Sequence, residues 1–450
     1  MKFRLRSVAR VSLVLGVFGF AGGILVWMGD PFVSEAWAQP LESELETLIA
    51  SHPQIKAARK SVEAAGESVT QSRAAFLPTL TLDGDIGPEY IDSPSERSGR
   101  GDNWMRPQTT ASITLDQNLF DGFSSTAALR TAELNRGLAK ISLEGTKQNT
   151  LFEGVQTYID VLRQRRLIGL AREAESNIQQ QLDLEDERVQ RGSGIAVDVL
   201  QAKSRLQLAK ERRVGFEGAL ENAISRYVQV FDHAPKLDNM IDPAPPAEMI
   251  PSELVRVIDI AVRENPAIGN SGGSVEVARE QRESSKSGYY PSVDLVTSGN
   301  YEKHKGGTIG TRRDGSILLQ TSWELFSGFS TQAGTAKATF DYSAAKDNMD
   351  YTYRKVVEQA RLAWQSLITS RQRVQLLENA VSIASEVFAS RKALREAGEE
   401  TVINVLDAEN EVTNAQINFV SVLYDERVAI YQLLLSMGRL STDNLKIALN

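Results

Sequence analysis

The sequence predicts a mainly α-helical chain with a β-barrel portion: long antiparallel coiled-coil helices, four strands per chain, and two internal structural repeats. Three observations carry this reading. The chain repeats itself at a nearly constant offset, two stretches of more than 100 residues lack proline, and the proline-bounded intervals between them alternate polar and apolar residues.

Self-similarity is the first pattern to seek, because a missed repeat misreads the whole fold. Pro53 and Ile55 recur as Pro266 and Ile268, Ser61-Val62-Glu63 as Ser274-Val275-Glu276, and Pro78 as Pro291, all at a shift of 213. Leu119 to Ser124 recurs as Leu325 to Ser330 at a shift of 206, which persists through Tyr158 and Trp364, Gly192 and Gly398, and Leu200 and Leu406. The first copy therefore holds seven extra residues between Pro78 and Leu119. Insertions concentrate in exposed loops, so a loop is expected in that interval of both copies. The chain divides into a leader, 1–38, a first repeat, 39–231, a crossover with five prolines, 232–252, and a second repeat, 253–450.

Lys2, Arg4, Arg6 and Arg10 form a basic start, Val11 to Trp27 is uncharged and mostly apolar, and Ala36-Trp37-Ala38 supplies small residues. That order reads as a secretory signal peptide, whose removal is expected to leave Gln39 at the N-terminus; a retained membrane anchor is the alternative. The remaining chain has 46 basic and 56 acidic residues, a net of −10, which argues against nucleic acid as a partner. No cysteine is present, so disulfides, thiol catalysis, cysteine metal sites and lipid attachment to an N-terminal cysteine are excluded. Beyond the leader no run reaches the roughly 18 apolar residues of a membrane-spanning helix.

In the first repeat we expect a helix over Leu41–Phe76, a strand hairpin over 79–119, a long helix over Gly122–Arg191, a turn near 192–195 and a helix over Ala196–Phe231. In the second, a helix precedes a hairpin over 292–325, a long helix over 328–397, a turn near 398–401 and a last helix. All 14 prolines fall at or before Pro291, and none lies between Pro107 and Pro235, so the strongest helix breaker is missing where the long helices are placed. Val356, Ala360, Ala363, Leu367, Ser370, Val374, Leu377, Val381, Ala384 and Phe388 are spaced alternately four and three apart. This heptad seam implies left-handed supercoiling. Val357, Trp364, Ile368 and Val387 widen the stripe, as a helix with neighbours on two sides requires. A helix of some 70 residues runs about 105 Å, and the two shorter helices of each repeat, end to end, match that length. Such elements suit a tube wall, with an ordinary antiparallel coiled coil as the alternative that periodicity leaves open. A proline at Leu367 should break the wall, and one at Gly306, in a loop, should be tolerated.

Thr79 to Asp83 and Ala111 to Asp116 alternate in the first copy; Val293 to Leu295 and Ile317 to Leu325 do so in the second. Period two marks strands with one apolar and one polar face. Between them lie polar loops, Asp92 to Asp102 and Lys303 to Gly315. If such strands face lipid, their edges must be paired. Four strands cannot close a barrel, for which about eight is the minimum, so several chains would pool theirs. The alternative is a soluble four-stranded sheet capping a helical bundle.

The Pro-x-Ile starts at Pro53 and Pro266, the prolines Pro78 and Pro291 entering the strands, the Leu-Phe-x-Gly-Phe segments leaving them, and the segments from Arg191 to Leu200 and from Ala397 to Asp407 resemble the TolC family of outer-membrane channels. The resemblance covers essentially the whole mature chain. It implies a homotrimer sharing a 12-stranded barrel in outer-membrane lipid and a 12-helix periplasmic α-barrel. It also implies docking to a periplasmic adaptor (membrane fusion) protein and an inner-membrane ABC or other transporter. The function implied is an exit duct for protein or small-molecule cargo; without an acylated cysteine, type I secretion is favoured over a resistance-nodulation-division drug pump. A periplasmic coiled-coil scaffold is the alternative of a different class. The family narrows the duct at its periplasmic end with acidic residues of the second copy, which map to Asn404 and Asp407, so that only Asp407 keeps the acid. Asp198 matches the acid of an inter-helix link, its usual arginine partner is replaced by Glu400, and Arg395 stands near enough to substitute. Gly192, Ser193, Gly194, Gly398 and Glu399 form the turn tips, where the adaptor would dock.

No enzyme is expected. His52, His233 and His304 are far apart, so no metal site is predicted. No phosphate loop, nucleophile elbow or dinucleotide fingerprint occurs, and neither catalytic residues nor a cofactor are assigned. Gly192-Ser193-Gly194 follows a helix and reads as its C-cap.

Overall fold

The computed structural model describes residues 40–94, 97–98, 104–192 and 195–445. The expected signal peptide, 1–38, and two of the expected tip residues, Ser193 and Gly194, lie outside them.

Helix α1, Leu41–Ser51, and helix α2, Pro53–Ala74, replace the single helix expected over 41–76. Pro53 has no N–H for the turn before it and forces His52 into extended backbone, φ −61° and ψ 129°, so the first helix ends and a second begins on the proline. The same break separates α5, Leu254–Glu264, from α6, Pro266–Ser285, where the Asn265 side chain accepts the Ala267 N–H at 2.9 Å. The two long helices, α3, Ser124–Gln190, and α7, Ser330–Glu396, hold 67 residues each, about 100 Å of helix. Helices α4, Ala196–Phe231, and α8, Val402–Ser436, run back along them. The proline-rich crossover carries 3₁₀ turns at Leu237–Asn239 and Ala247–Met249.

Strands β1, Thr79–Ile91, β2, Trp104–Phe120, β3, Ser292–Lys303, and β4, Thr311–Ser322, form one antiparallel sheet in the order β1-β2-β3-β4, with β1 and β4 at its edges. Leu82 pairs with Ile113, Leu115 with Thr297 and Thr297 with Ile317, so these residues share a face.

Burial follows the helical seam. On α7 the residues Val356, Ala360, Ala363, Leu367, Ser370 and Ala384 are buried, and the remaining seam positions are half-buried. The main core joins Leu45 and Leu48 of α1 with Leu151, Val155 and Tyr158 of α3, Tyr227 of α4, Leu367 of α7 and Leu433 and Leu434 of α8. A second, smaller core near the turns packs Ile178, Leu182, Val199, Ala202, Leu206, Val402 and Leu406.

Candidate functional site

Two regions carry unusual chemistry: the sheet and the helix turns at 192 and 398. The sheet is two-faced. Leu80, Leu82, Ile86, Tyr90, Ile113, Ile317 and Leu319 lie on one face and are exposed, Leu82 to 77% and Ile317 to 74%. The opposite face carries Asp83, Asp85, Ser112, Thr114, Asp116, Asn118, Asp294, Ser298, Asn300 and Asp314, with Ile91, Val296 and Leu318 as apolar exceptions. Its polar groups bond across strands: the Thr110 hydroxyl donates to Asp85 at 3.2 Å, the Asn118 amide to Asp294 at 2.8 Å, and the Asn300 amide to Asp314 at 3.0 Å. Large apolar side chains on a water-exposed face are costly, at roughly 25 cal/mol per Å². Where the sheet meets the helices, Phe120, Phe123 and Tyr290 stack edge-on at 5.2–6.5 Å, and Phe326 meets Phe329 at 5.6 Å.

At the other end of the long helices, Gly192 and Gly398 take φ of +79° and +84°. Gly398 closes α7 in a Schellman motif: its N–H donates to the Arg395 carbonyl at 3.1 Å, and the Glu399 N–H to the Leu394 carbonyl at 2.9 Å. Just before this turn the Arg395 guanidinium donates to the Glu185 carboxylate of α3 at 2.5 Å and to the Glu400 carbonyl at 2.9 Å. Glu185 is only 3% exposed and also receives Arg188 at 3.2 Å. The expected partner of Arg395 is thereby corrected from Asp198 to Glu185. Asp198 lies in the first turn of α4, where its charge faces the positive end of the helix dipole.

Asp407 is also not a free acid: Arg205 of α4 reaches its Oδ1 at 2.6 Å. Within the chain this acid forms an ion pair, because α4 and α8 meet here and place the two residues opposite one another. Asn404 donates its amide to Glu400 Oε1 at 2.5 Å, and the Thr401 N–H donates to the same oxygen at 2.9 Å. These two bonds, the amide first, hold the Glu400 carboxyl below the usual glutamate range, with slight burial opposing them. Arg391 donates to the Asn404 carbonyl at 3.2 Å, and Glu399 is exposed. The structure therefore gathers Arg395, Glu400, Asn404 and Asp407 at one level, and adds Glu185 and Arg205. The signal for Glu185 was present in the sequence: Ile178, Leu182 and Glu185 continue a four-three seam, and a charge on a seam needs a partner. Among the described residues no group of histidines and acids is placed to hold a metal.

The profile of the family described as outer membrane efflux protein matches residues 45–227 and 257–439. The outer membrane efflux protein BepC of Brucella suis biovar 1 is 24% identical over 91% of this chain and 88% of its own length. The alkaline protease secretion protein AprF of Pseudomonas aeruginosa is 25% identical, covering 94% of this chain and 90% of AprF. Among solved structures, the CmeC outer membrane channel of Campylobacter jejuni superposes with a TM-score of 0.76 at 16% identity, over 90% of this chain and 88% of that one.

Proposed function

Because the chain belongs to the outer membrane efflux protein family, we propose that it is the outer-membrane exit duct of a tripartite export system, a homotrimer whose three four-stranded sheets close one 12-stranded barrel. The family is one of outer-membrane channels, and the chain is an outer-membrane protein. The observation that carries the duct reading is the sheet itself: an exposed apolar face, a hydrogen-bonded polar face, and β1 and β4 as its edge strands. Lipid accepts the first, a wet lumen accepts the second, and only neighbouring copies satisfy the third. The aromatic residues at the sheet–helix junction lie where an interfacial girdle belongs. The equal long helices and the repeated element order support two structural repeats. Leu376 and Ile383 stay exposed on α7, on a stripe apart from the buried seam, which supports further helices packing around a shared tunnel. Light scattering of the purified protein in detergent is expected to give the mass of a trimer; a folded monomer would refute the barrel.

Within that reading, the segments Gly192, Ser193, Gly194 and Gly398, Glu399 are the periplasmic end and the adaptor-docking tips. Asp407, Asn404, Asp198, Arg395 and Glu400 lie around its aperture, with the Arg395–Glu185 and Asp407–Arg205 pairs fastening the two halves of the chain there. Type I secretion is the favoured branch, supported by the similarity to a protein named for protease secretion. Similarity to a protein named for efflux supports drug export by a resistance-nodulation-division pump as the second reading. Deleting the gene separates them: loss of a secreted protein from the medium supports the first, drug sensitivity with normal secretion the second.

A further inference from the structure

Two helical turns beyond the start of α8 lies an acid that neither the aperture nor the core accounts for. Glu409 is 3% exposed, and neither of its carboxylate oxygens has a hydrogen-bond partner among the described residues. It holds a seam position: Val402, Leu406, Glu409 and Thr413 are all buried and spaced four, three and four apart. Helix α8 packs against both α3 and α7 along this stretch. Helix α3 presents the neutral amide of Asn177, and α7 presents the Lys392 ammonium. Helix α4 packs on the same seam, its Val199, Ala202 and Leu206 clustering with Val402 and Leu406, and its Arg205 and Arg212 are engaged by Asp407 and Asn414.

With at most the neutral Asn177 amide beside it and no ion pair, an ionised carboxylate is far costlier to bury than a neutral one, so such a group takes up a proton instead. We propose that Glu409 is a proton-dependent packing lock: protonated, it lets α8 lie dry between α3 and α7, and ionised, it draws water into that seam and loosens α8 next to the tip. Burial is the main cause acting on the group and pushes its carboxyl up to about 7, against the smaller opposing pull of Asn177 and Lys392. The direction follows from linkage. A raised carboxyl binds more protons in the packed state than in the loosened one. The packing is therefore tightest in acid, weakens as the pH climbs from the usual glutamate range, and stops changing above about 7. The packing lock stands on these contacts alone; its consequence, a tip that opens more readily as the pH rises, rests on the duct reading above.

Hydrogen exchange of the full detergent-purified protein tests it, with rates corrected for the intrinsic pH dependence of exchange. Protection of the segment 402–413 is expected to fall at least about tenfold between about pH 5.5 and pH 8, the equivalent of one unit of the carboxyl shift. In Glu409→Gln, and in Glu409→Leu should the amide fold poorly, the corrected protection is expected to be flat across that range. A flat profile in the unaltered protein, or the same fall in both variants, overturns the lock and leaves the duct reading standing.

Discussion

Arg395 joins two distant parts of the chain with one guanidinium, binding the Glu185 side chain and the Glu400 carbonyl at once. Removing it in Arg395→Ala leaves a buried carboxylate with Arg188 as its remaining partner. Breaking a fully buried pair costs about 3–5 kcal/mol; with Arg188 retained, a loss of about 2 kcal/mol is expected, read from chemical denaturation of the tip. Arg395→Lys should recover little, because an ammonium cannot span both acceptors as a planar fork does. Asp198→Ala, by contrast, should stay within about 0.5 kcal/mol, which separates the observed partner from the expected one. Glu400 offers a pH test nearby. Its folded-state carboxyl is lowered by the Asn404 amide and the Thr401 N–H, so the stability it adds is complete above the usual glutamate range and is lost as the pH falls through the lowered value. Asn404→Ala should move the Glu400 titration upward in an NMR pH series; an unmoved titration would show that the amide is not the cause. These partners were not legible beforehand because Arg395 and Glu185 lie 210 residues apart, and Arg205 and Asp407 lie 202 apart. Periodicity names the seam residue, but only the pairing of α3, α4, α7 and α8 brings its partner to it.

The helices themselves were written plainly. A stretch without proline, with a four-three apolar seam, has few alternatives to a long helix, and on α7 the seam residues are the ones the structure buries or half-buries. The single helix expected before each hairpin is two, because proline is compatible with the first turn of a helix, and Pro53 and Pro266 each end one helix by starting another. Leu367 lies fully buried in the middle of α7, so Leu367→Pro removes a helical hydrogen bond, adds a ring clash and costs about 3 kcal/mol or more. The measurable result is a lowered melting temperature and new protease cleavage near residue 367. The loop gives a correction of the same kind. Gly306 has φ +62°, and its N–H donates to the Glu89 carboxylate at 2.8 Å, so Gly306→Pro is not the harmless change its polar surroundings suggested. Proline can neither adopt that φ nor donate that bond, and a local cost of at least about 1 kcal/mol is expected. Cleavage of the second hairpin loop by added protease reports it, and an unchanged cleavage rate would remove Glu89 from any role in holding the loop.

At the scale of the whole molecule the question is what surrounds the sheet. Alternation along each strand made its two faces legible, since residues two apart must share a face. What the alternation could not say is which face meets what, or how the edges end, because both depend on neighbours outside the chain. The structure narrows this to a sharp asymmetry. Leu82 and Ile317 stand exposed on the apolar face, and Ser112, at a register position beside Asp83, stands on the polar one. In lipid, a lysine replacing Ile317 places a charge against hydrocarbon, which costs about 2–4 kcal/mol near the middle of the bilayer. The trimer of the proposed duct would repeat that cost three times, so Ile317→Lys and Leu82→Lys should each sharply reduce the heat-modifiable outer-membrane form. Ser112→Lys adds the same charge to a face that meets water, beside acids that welcome it, and should assemble normally. A sheet that merely capped a soluble bundle would respond in the opposite order, because lysine on its exposed apolar face would improve solubility. Fractionating cell envelopes that carry the three variants therefore decides the matter: equal recovery of all three in the outer membrane would mean that the apolar face does not touch lipid.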